Sequence, residues 1–152
     1  MSPYRSSAEC LADYHELSAV ILDNAALLGQ WHQLGTDAYA AQHVGPQMRP
    51  ITVWFALVGL HLALDRGLTG PQVRDAHQYL SARGGDWPQF PRPDSPGRLT
   101  AHDVPRAADG EALTVGLTAW ADAVWQTWRP VHEAVAGTCL QALTDWYPGR
   151  VR

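Results

Sequence analysis

The apolar residues of this chain recur every three or four positions, the spacing of helices that bury one face. With capping residues and glycines as boundaries, this spacing predicts helices over residues 7–22, 25–42, 50–66 and 70–82, a short turn over 101–107, and a last helical region over 110–147. Pro130 should split or kink the last region, because proline cannot continue a helix. No segment alternates with a period of two. The sequence predicts an all-α bundle of five to six helices, with residues 1–152 as a single domain.

Residues 84–100 depart from this pattern and contain four prolines. Such a segment can be neither a helix nor a central strand. Trp87 and Phe90 lie between the prolines, and aromatic side chains are costly to leave in water. We therefore predict an ordered Pro-rich loop whose two aromatic rings pack back onto the bundle.

The second predicted helix carries polar groups where a core helix would carry leucine. His32, Thr36, Tyr39 and His43 lie at i, i+4, i+7 and i+11, which is a single helical stripe. The turn before this helix is short, so the first two helices should be antiparallel, with Glu16 level with His32. The predicted catalytic residues are Glu16, His32, Asp37, Tyr39 and His43.

A glutamate that faces a histidine can fix the imidazole tautomer, raise the imidazole pKa or share a metal ion with it. A metal site with Glu16, His32 and His132 as ligands would be a two-His, one-carboxylate set that suits one Zn or Fe(II) ion. His61 is an alternative ligand from another helix. No HxxxH or HExxH pair supports such a site.

Four further residues complete the predicted site. Two tryptophans of the last helical region would exclude water, and Cys10 should lie level with Asp37. The predicted substrate-binding residues are Trp125, Trp128, Gln42 and Cys10. A structural interpretation stands beside each assignment, because buried polar groups are usually hydrogen-bonded core groups, and tryptophans and cysteines are often core residues.

Charge and composition narrow the classes of partner. The formal net charge is −4, no lysine is present, and no basic run occurs. Nucleic acid and a polybasic membrane contact are therefore not expected. The longest apolar stretch, residues 51–64, is too short to span a bilayer, and no signal peptide is evident. The expected location is the cytoplasm.

The sequence resembles a bacterial family of small all-helical domains of unknown function. The matching positions are Cys10, Glu16, His32, Asp37, Tyr39, Gln42, His43 and Pro46. Later segments also match, including a Trp-rich last helix with His132. Two features depart from the family pattern: a Cys-Pro-x-Cys-Gly element is lacking, and Ala56 stands where some members have a histidine. The resemblance implies no reaction and supports only the choice of residues.

Two hypotheses follow from these patterns. The first is a small enzyme with a Glu/His acid-base or metal site between the first two helices and the last, acting on a small organic substrate in a tailoring, cyclising or hydrolytic step. The second is a non-catalytic binding or protein-interaction module, in which the polar stripe is a structural network and the Pro-rich loop is the partner surface. Both hypotheses are compatible with a homodimer.

Overall fold

The computed structural model describes residues 7–45, 48–106 and 110–147 of the chain. Within these ranges there are six α-helices and no strand, which confirms the predicted all-α fold. They are α1 (Ser7–Leu22), α2 (Ala25–Gln42), α3 (Pro50–Leu60), α4 (Gly70–Arg83), α5 (Glu111–Thr127) and α6 (His132–Ala142). None of the described helices is long and apolar enough to cross a membrane. Pro46 and the end of the turn predicted over 101–107 lie outside the described residues, and the single-domain boundary stays a prediction.

The helix ends follow local sequence signals. The Asn24 side chain accepts a hydrogen bond from the backbone N–H of Ala26, 3.0 Å away, at the start of α2. Thr69 and Gln72 form a reciprocal capping box at the start of α4. Pro130 lies in a 3₁₀ turn between α5 and α6, so the predicted split of the last helical region is confirmed.

The third helix continues as a π-helical turn, His61–Asp65, where a regular α-helix was expected. His61 Nδ1 lies 2.9 Å from Asp65 Oδ2, and Trp125 Nε1 donates to the same oxygen over 3.1 Å. The second of these bonds joins the turn to α5, sixty residues along the chain. A contact over that sequence distance leaves no trace in the local pattern, so the π turn could not be predicted.

Helix α2 lies at the centre of the bundle and packs against α1, α3, α4 and α5. Two apolar clusters form the core, and α3 contributes to both of them. One lies mainly among α1, α2 and α5, and the other among α3, α4 and the segment after α6. Five tryptophans are fully buried: Trp54, Trp120, Trp125, Trp128 and Trp146. Their burial is the largest apolar contribution that single side chains make to this core.

The Pro-rich loop packs against the bundle, as predicted. Trp87 stacks on the buried ring of Trp54, with ring centroids 4.6 Å apart. Gln42 of α2 donates hydrogen bonds to the carbonyl oxygens of Pro96, at 2.8 Å, and Leu99, at 2.7 Å. The Gln42 side-chain oxygen also accepts from Trp120 Nε1 over 3.0 Å. One amide therefore links the loop, α2 and α5.

Candidate functional site

The expected Glu16–His32 pair is not formed. The Glu16 side chain is 70% exposed, and its ion-pair partner is Arg106, with Oε1 3.8 Å from Nε. No hydrogen bond or ion pair joins Glu16 to His32 within the described ranges. The short turn determines which residues of the two helices lie at the same level, but it does not determine the direction in which each side chain points.

The predicted metal ligands are likewise not brought together. His132 stacks on Trp125 with centroids 3.8 Å apart, and its Nε2 lies 2.7 Å from the Trp125 carbonyl oxygen. Across the residues that the structure describes, no group of three or more His, Cys, Asp or Glu side chains could hold a metal ion. The set Glu16, His32 and His132 is therefore not an assembled metal site in the described part of the chain.

Tyr39 and His43 meet on the polar stripe, but in an aromatic stack. Tyr14 of α1 stacks on Tyr39 at 4.3 Å, and His43 packs on the same ring at 4.4 Å. Burial raises the pKa of Tyr39, and the neighbouring Cys10 and Tyr14 raise it further. Burial lowers the pKa of His43. The Tyr14–Tyr39 stack joins α1 to α2.

The predicted substrate-binding residues are buried or hydrogen-bonded to other parts of the protein. Trp125 and Trp128 are each 1% exposed, and Trp128 Nε1 donates to the Ala41 carbonyl oxygen over 3.2 Å. Gln42 uses its whole amide in the loop contacts described above. Cys10 is 3% exposed and forms no disulfide. The structural interpretation therefore accounts for the observed contacts of these side chains.

Asp37 is the predicted site residue with a chemically unusual environment. It is 4% exposed, and Gln33 Nε2 donates to its Oδ1 over 3.1 Å. Its second oxygen, Oδ2, is buried and has no hydrogen-bond partner in the described part of the chain. Burial raises the pKa of Asp37 well above its ordinary value, and the Gln33 hydrogen bond opposes this only in part. The environment therefore favours the neutral carboxylic acid.

Gly59 of α3 makes the space for this carboxyl group. A Cβ atom at position 59 would overlap Asp37 Oδ2. The glycine thus lets α3 approach the acid more closely than any other residue would. Neither Gly59 nor Gln33 was selected as a site residue from the sequence. The i, i+4 spacing of Gln33 and Asp37 is a signal that could have identified Gln33.

Replacing Gly59 with alanine should lower the free energy of unfolding by about 2 kcal/mol, because the added methyl group displaces a buried carboxyl. Gly29 of α2 is the matched control, since a Cβ atom there would meet no other heavy atom within 4 Å. Gly29→Ala should leave stability equal or raise it by up to about 1 kcal/mol. Urea denaturation of both variants measures the difference, and equal losses would show that Gly59 is not a close-packed position.

Two cavities lie on either side of the Gln33–Asp37 pair, and both side chains line each of them. The first cavity, of about 200 Å³, lies between α2, α3 with its π turn, α4 and α5, and most of its lining is apolar. Its lining includes Trp31, Leu34, Gly59, Leu64, Val73 and Thr118. The second cavity, of about 380 Å³, lies between α2, α3 and α4.

The second cavity has a more polar lining. It includes Arg49, Thr52, Phe55, His77 and Ser81. His77 Nε2 lies 2.8 Å from the Phe55 carbonyl oxygen, which can only accept, so this nitrogen carries the proton and donates. Burial lowers the pKa of His77, and the hydrogen bond to Phe55 opposes this. Neither Arg49 nor His77 was selected as a site residue from the sequence.

The fold and these cavities define a small all-helical protein with one buried acid between two cavities. The chain belongs to a family of unknown function, DUF5946, whose model matches residues 2–129. The resemblance to a family of domains of unknown function is thereby confirmed. No curated protein and no solved structure matches the chain. The matched residues include Asp37, Gly59 and both cavities, whereas α6 lies beyond them.

Proposed function

We propose that the protein is a small-molecule enzyme in which Asp37 exchanges a proton with its substrate. One observation carries this proposal: Asp37 Oδ2 is buried beside a cavity and has no partner in the described residues. A buried polar atom without a hydrogen bond costs about 1–3 kcal/mol. Buried acids with perturbed pKa values cluster at functional sites, which makes Asp37 the candidate for a chemical role.

The surroundings of Asp37 suit acid-base chemistry. The raised pKa of the carboxyl group keeps its proton available nearer to neutral pH than that of an ordinary aspartate. Gln33 holds Oδ1, so Oδ2 is the atom left to meet an oxygen or nitrogen of the substrate. The apolar walls of the first cavity would exclude water from the exchange. Proton transfer of this kind is a step that tailoring, cyclising and hydrolytic reactions share.

The size of the first cavity bounds the substrate. A dry apolar cavity of roughly 150 Å³ holds a molecule such as benzene. The first cavity, at about 200 Å³, is therefore suited to a group of roughly six to ten non-hydrogen atoms. We propose a mainly apolar group with one hydrogen-bonding atom at Asp37.

The test compares wild type with Asp37→Asn, which keeps the shape of the side chain and removes the exchangeable acid. Both proteins are incubated with a mixture of small metabolites, and the mixture is analysed by mass spectrometry. Asp86→Asn is the matched control, since Asp86 is exposed in the Pro-rich loop. Compounds that wild type and Asp86→Asn convert should stay unchanged with Asp37→Asn. Equal conversion by all three proteins would rule out the proposed role of Asp37.

A non-catalytic binding protein is the second candidate. Asp37 is the one titratable side chain among the described residues that line the first cavity, so no second acid or base faces it there. Binding of a compound to Asp37 without conversion would favour this candidate. The Pro-rich loop offers a partner protein only part of its two aromatic side chains, because Trp87 and Phe90 are half-buried against the bundle. A cytoplasmic location and a homodimer stay predictions from the sequence.

A further inference from the structure

Arg49 lies at the mouth of the second cavity, at the residue that precedes α3. Its side chain is exposed and makes no hydrogen bond or ion pair with the described residues. It does not cap α3 through its side chain. A guanidinium group without a partner among the residues that the structure describes is available to a ligand.

The other titratable groups that line this cavity do not balance the charge of Arg49. They are Asp37 and His77, and no further acidic side chain is among the described lining residues. Burial raises the pKa of Asp37 and lowers that of His77, so burial favours the neutral form of both groups. The second cavity therefore has one positive charge at its mouth, and burial favours the neutral form of the acid at its inner end.

We infer that the second cavity binds a small organic anion, a carboxylate or a phosphate monoester, with its charged group on Arg49 and its other end against Asp37 and Gln33. This inference deepens the proposed function and rests on it: the anionic part of the molecule lies in the second cavity, and the apolar part proposed for the first cavity lies on the other side of Asp37. Two independent observations support it. The Arg49 guanidinium at the mouth has no partner in the described ranges, and the Oδ2 atom of the buried Asp37 carboxyl has none there either.

The geometry of the groups fits this ligand class. Arginine binds carboxylates and phosphates through two parallel N–H donors, which fixes the orientation of the anion. The hydroxyl groups of Thr52 and Ser81 line the same cavity and can donate to a second oxygen. The Phe55 side chain and Ala56 supply an apolar wall for the body of the ligand. Because Arg49 is exposed, its attraction for the anion should weaken as salt is added.

The experiment uses a matched pair of probes, 3-phenylpropanoate and its uncharged amide, with phenyl phosphate as a second anion. Binding is measured by isothermal titration calorimetry to wild type, to Arg49→Gln, and to Arg98→Gln as the control. Arg98 is an exposed arginine outside the second cavity. The carboxylate should bind wild type and Arg98→Gln about tenfold more tightly than the amide does. Arg49→Gln should remove this preference, and about 0.5 M salt should reduce it in wild type. Whichever of 3-phenylpropanoate and phenyl phosphate binds more tightly shows whether the site prefers a carboxylate or a phosphate.

Equal binding of acid and amide to wild type, or unchanged binding of the acid to Arg49→Gln, would overturn the inference, as would failure of all three probes to bind. Asp37→Asn separates this result from the proposed function. If both probes bind equally and both need Asp37, the anion site is wrong, and the conversion assay with Asp37→Asn alone decides the proposed function. If the acid needs Arg49 but binds Asp37→Asn as well as wild type, the anion site stands and its link to Asp37 is wrong. Circular dichroism of each variant confirms that the helices are intact.

Discussion

Replacing Gln42 with alanine should lower the free energy of unfolding by about 3 kcal/mol. The substitution removes three hydrogen bonds, and a bond of this kind contributes about 1 kcal/mol on average. It also leaves Trp120 Nε1 without its acceptor in a fully buried indole, and a buried donor without a partner costs more than the bond itself contributes. Urea denaturation followed by tryptophan fluorescence measures the loss.

The control for Gln42→Ala is Gln78→Ala. Gln78 is also a glutamine within a helix, but its side chain is exposed on α4. Its replacement should change stability by less than about 0.5 kcal/mol. Trypsin supplies a second readout, because release of the Pro-rich loop from Gln42 should speed cleavage after Arg98, beside Leu99. If the two variants lose equal stability and the loop is cut at the wild-type rate, Gln42 does not hold the loop.

The helices could be predicted because their signals are local. Apolar spacing, the Thr69 cap and Pro130 act within a turn or two of their own positions. The Pro-rich loop could be predicted to pack back because the cost of exposing Trp87 does not depend on which surface covers it. The π turn at His61–Asp65 could not be predicted, because it coincides with a contact to Trp125 in a distant helix.

The site could be predicted only in part. Asp37 was selected because it belongs to the titratable and hydrogen-bonding groups that gather on the second predicted helix and its neighbour, where burial of polar groups is costly. A correct prediction for Glu16 and His32 also needs the rotation of each helix about its own axis. The relative level of two residues along the helices does not give that rotation. Gly59 and Arg49 belong to α3 and its start, and their nearness to Asp37 depends on how α3 packs on α2.

Replacing Asp37 with asparagine should remove a large pH dependence of stability. The pKa of Asp37 is raised by burial in the folded state, so the folded protein binds the proton more tightly than the unfolded chain does. From the ordinary aspartate pKa, 3.8, up to the raised value, the Asp37 contribution to stability therefore falls as pH increases. The largest slope is about 1.4 kcal/mol per pH unit. Asparagine mimics the neutral acid and lacks this slope.

The measurement is urea denaturation of wild type and Asp37→Asn between about pH 4 and pH 8, a range that begins near the ordinary aspartate pKa and extends upward from it. The stability of Asp37→Asn minus that of wild type should increase with pH. His43 and His77, whose pKa values burial lowers, add a slope of opposite sign, but they are present in both proteins and cancel in the difference. Asp86→Asn should follow wild type, because Asp86 is exposed. Parallel profiles of wild type and Asp37→Asn would mean that the folded protein does not favour the neutral form of Asp37, and the acid on which the proposed function depends would be an ordinary carboxylate.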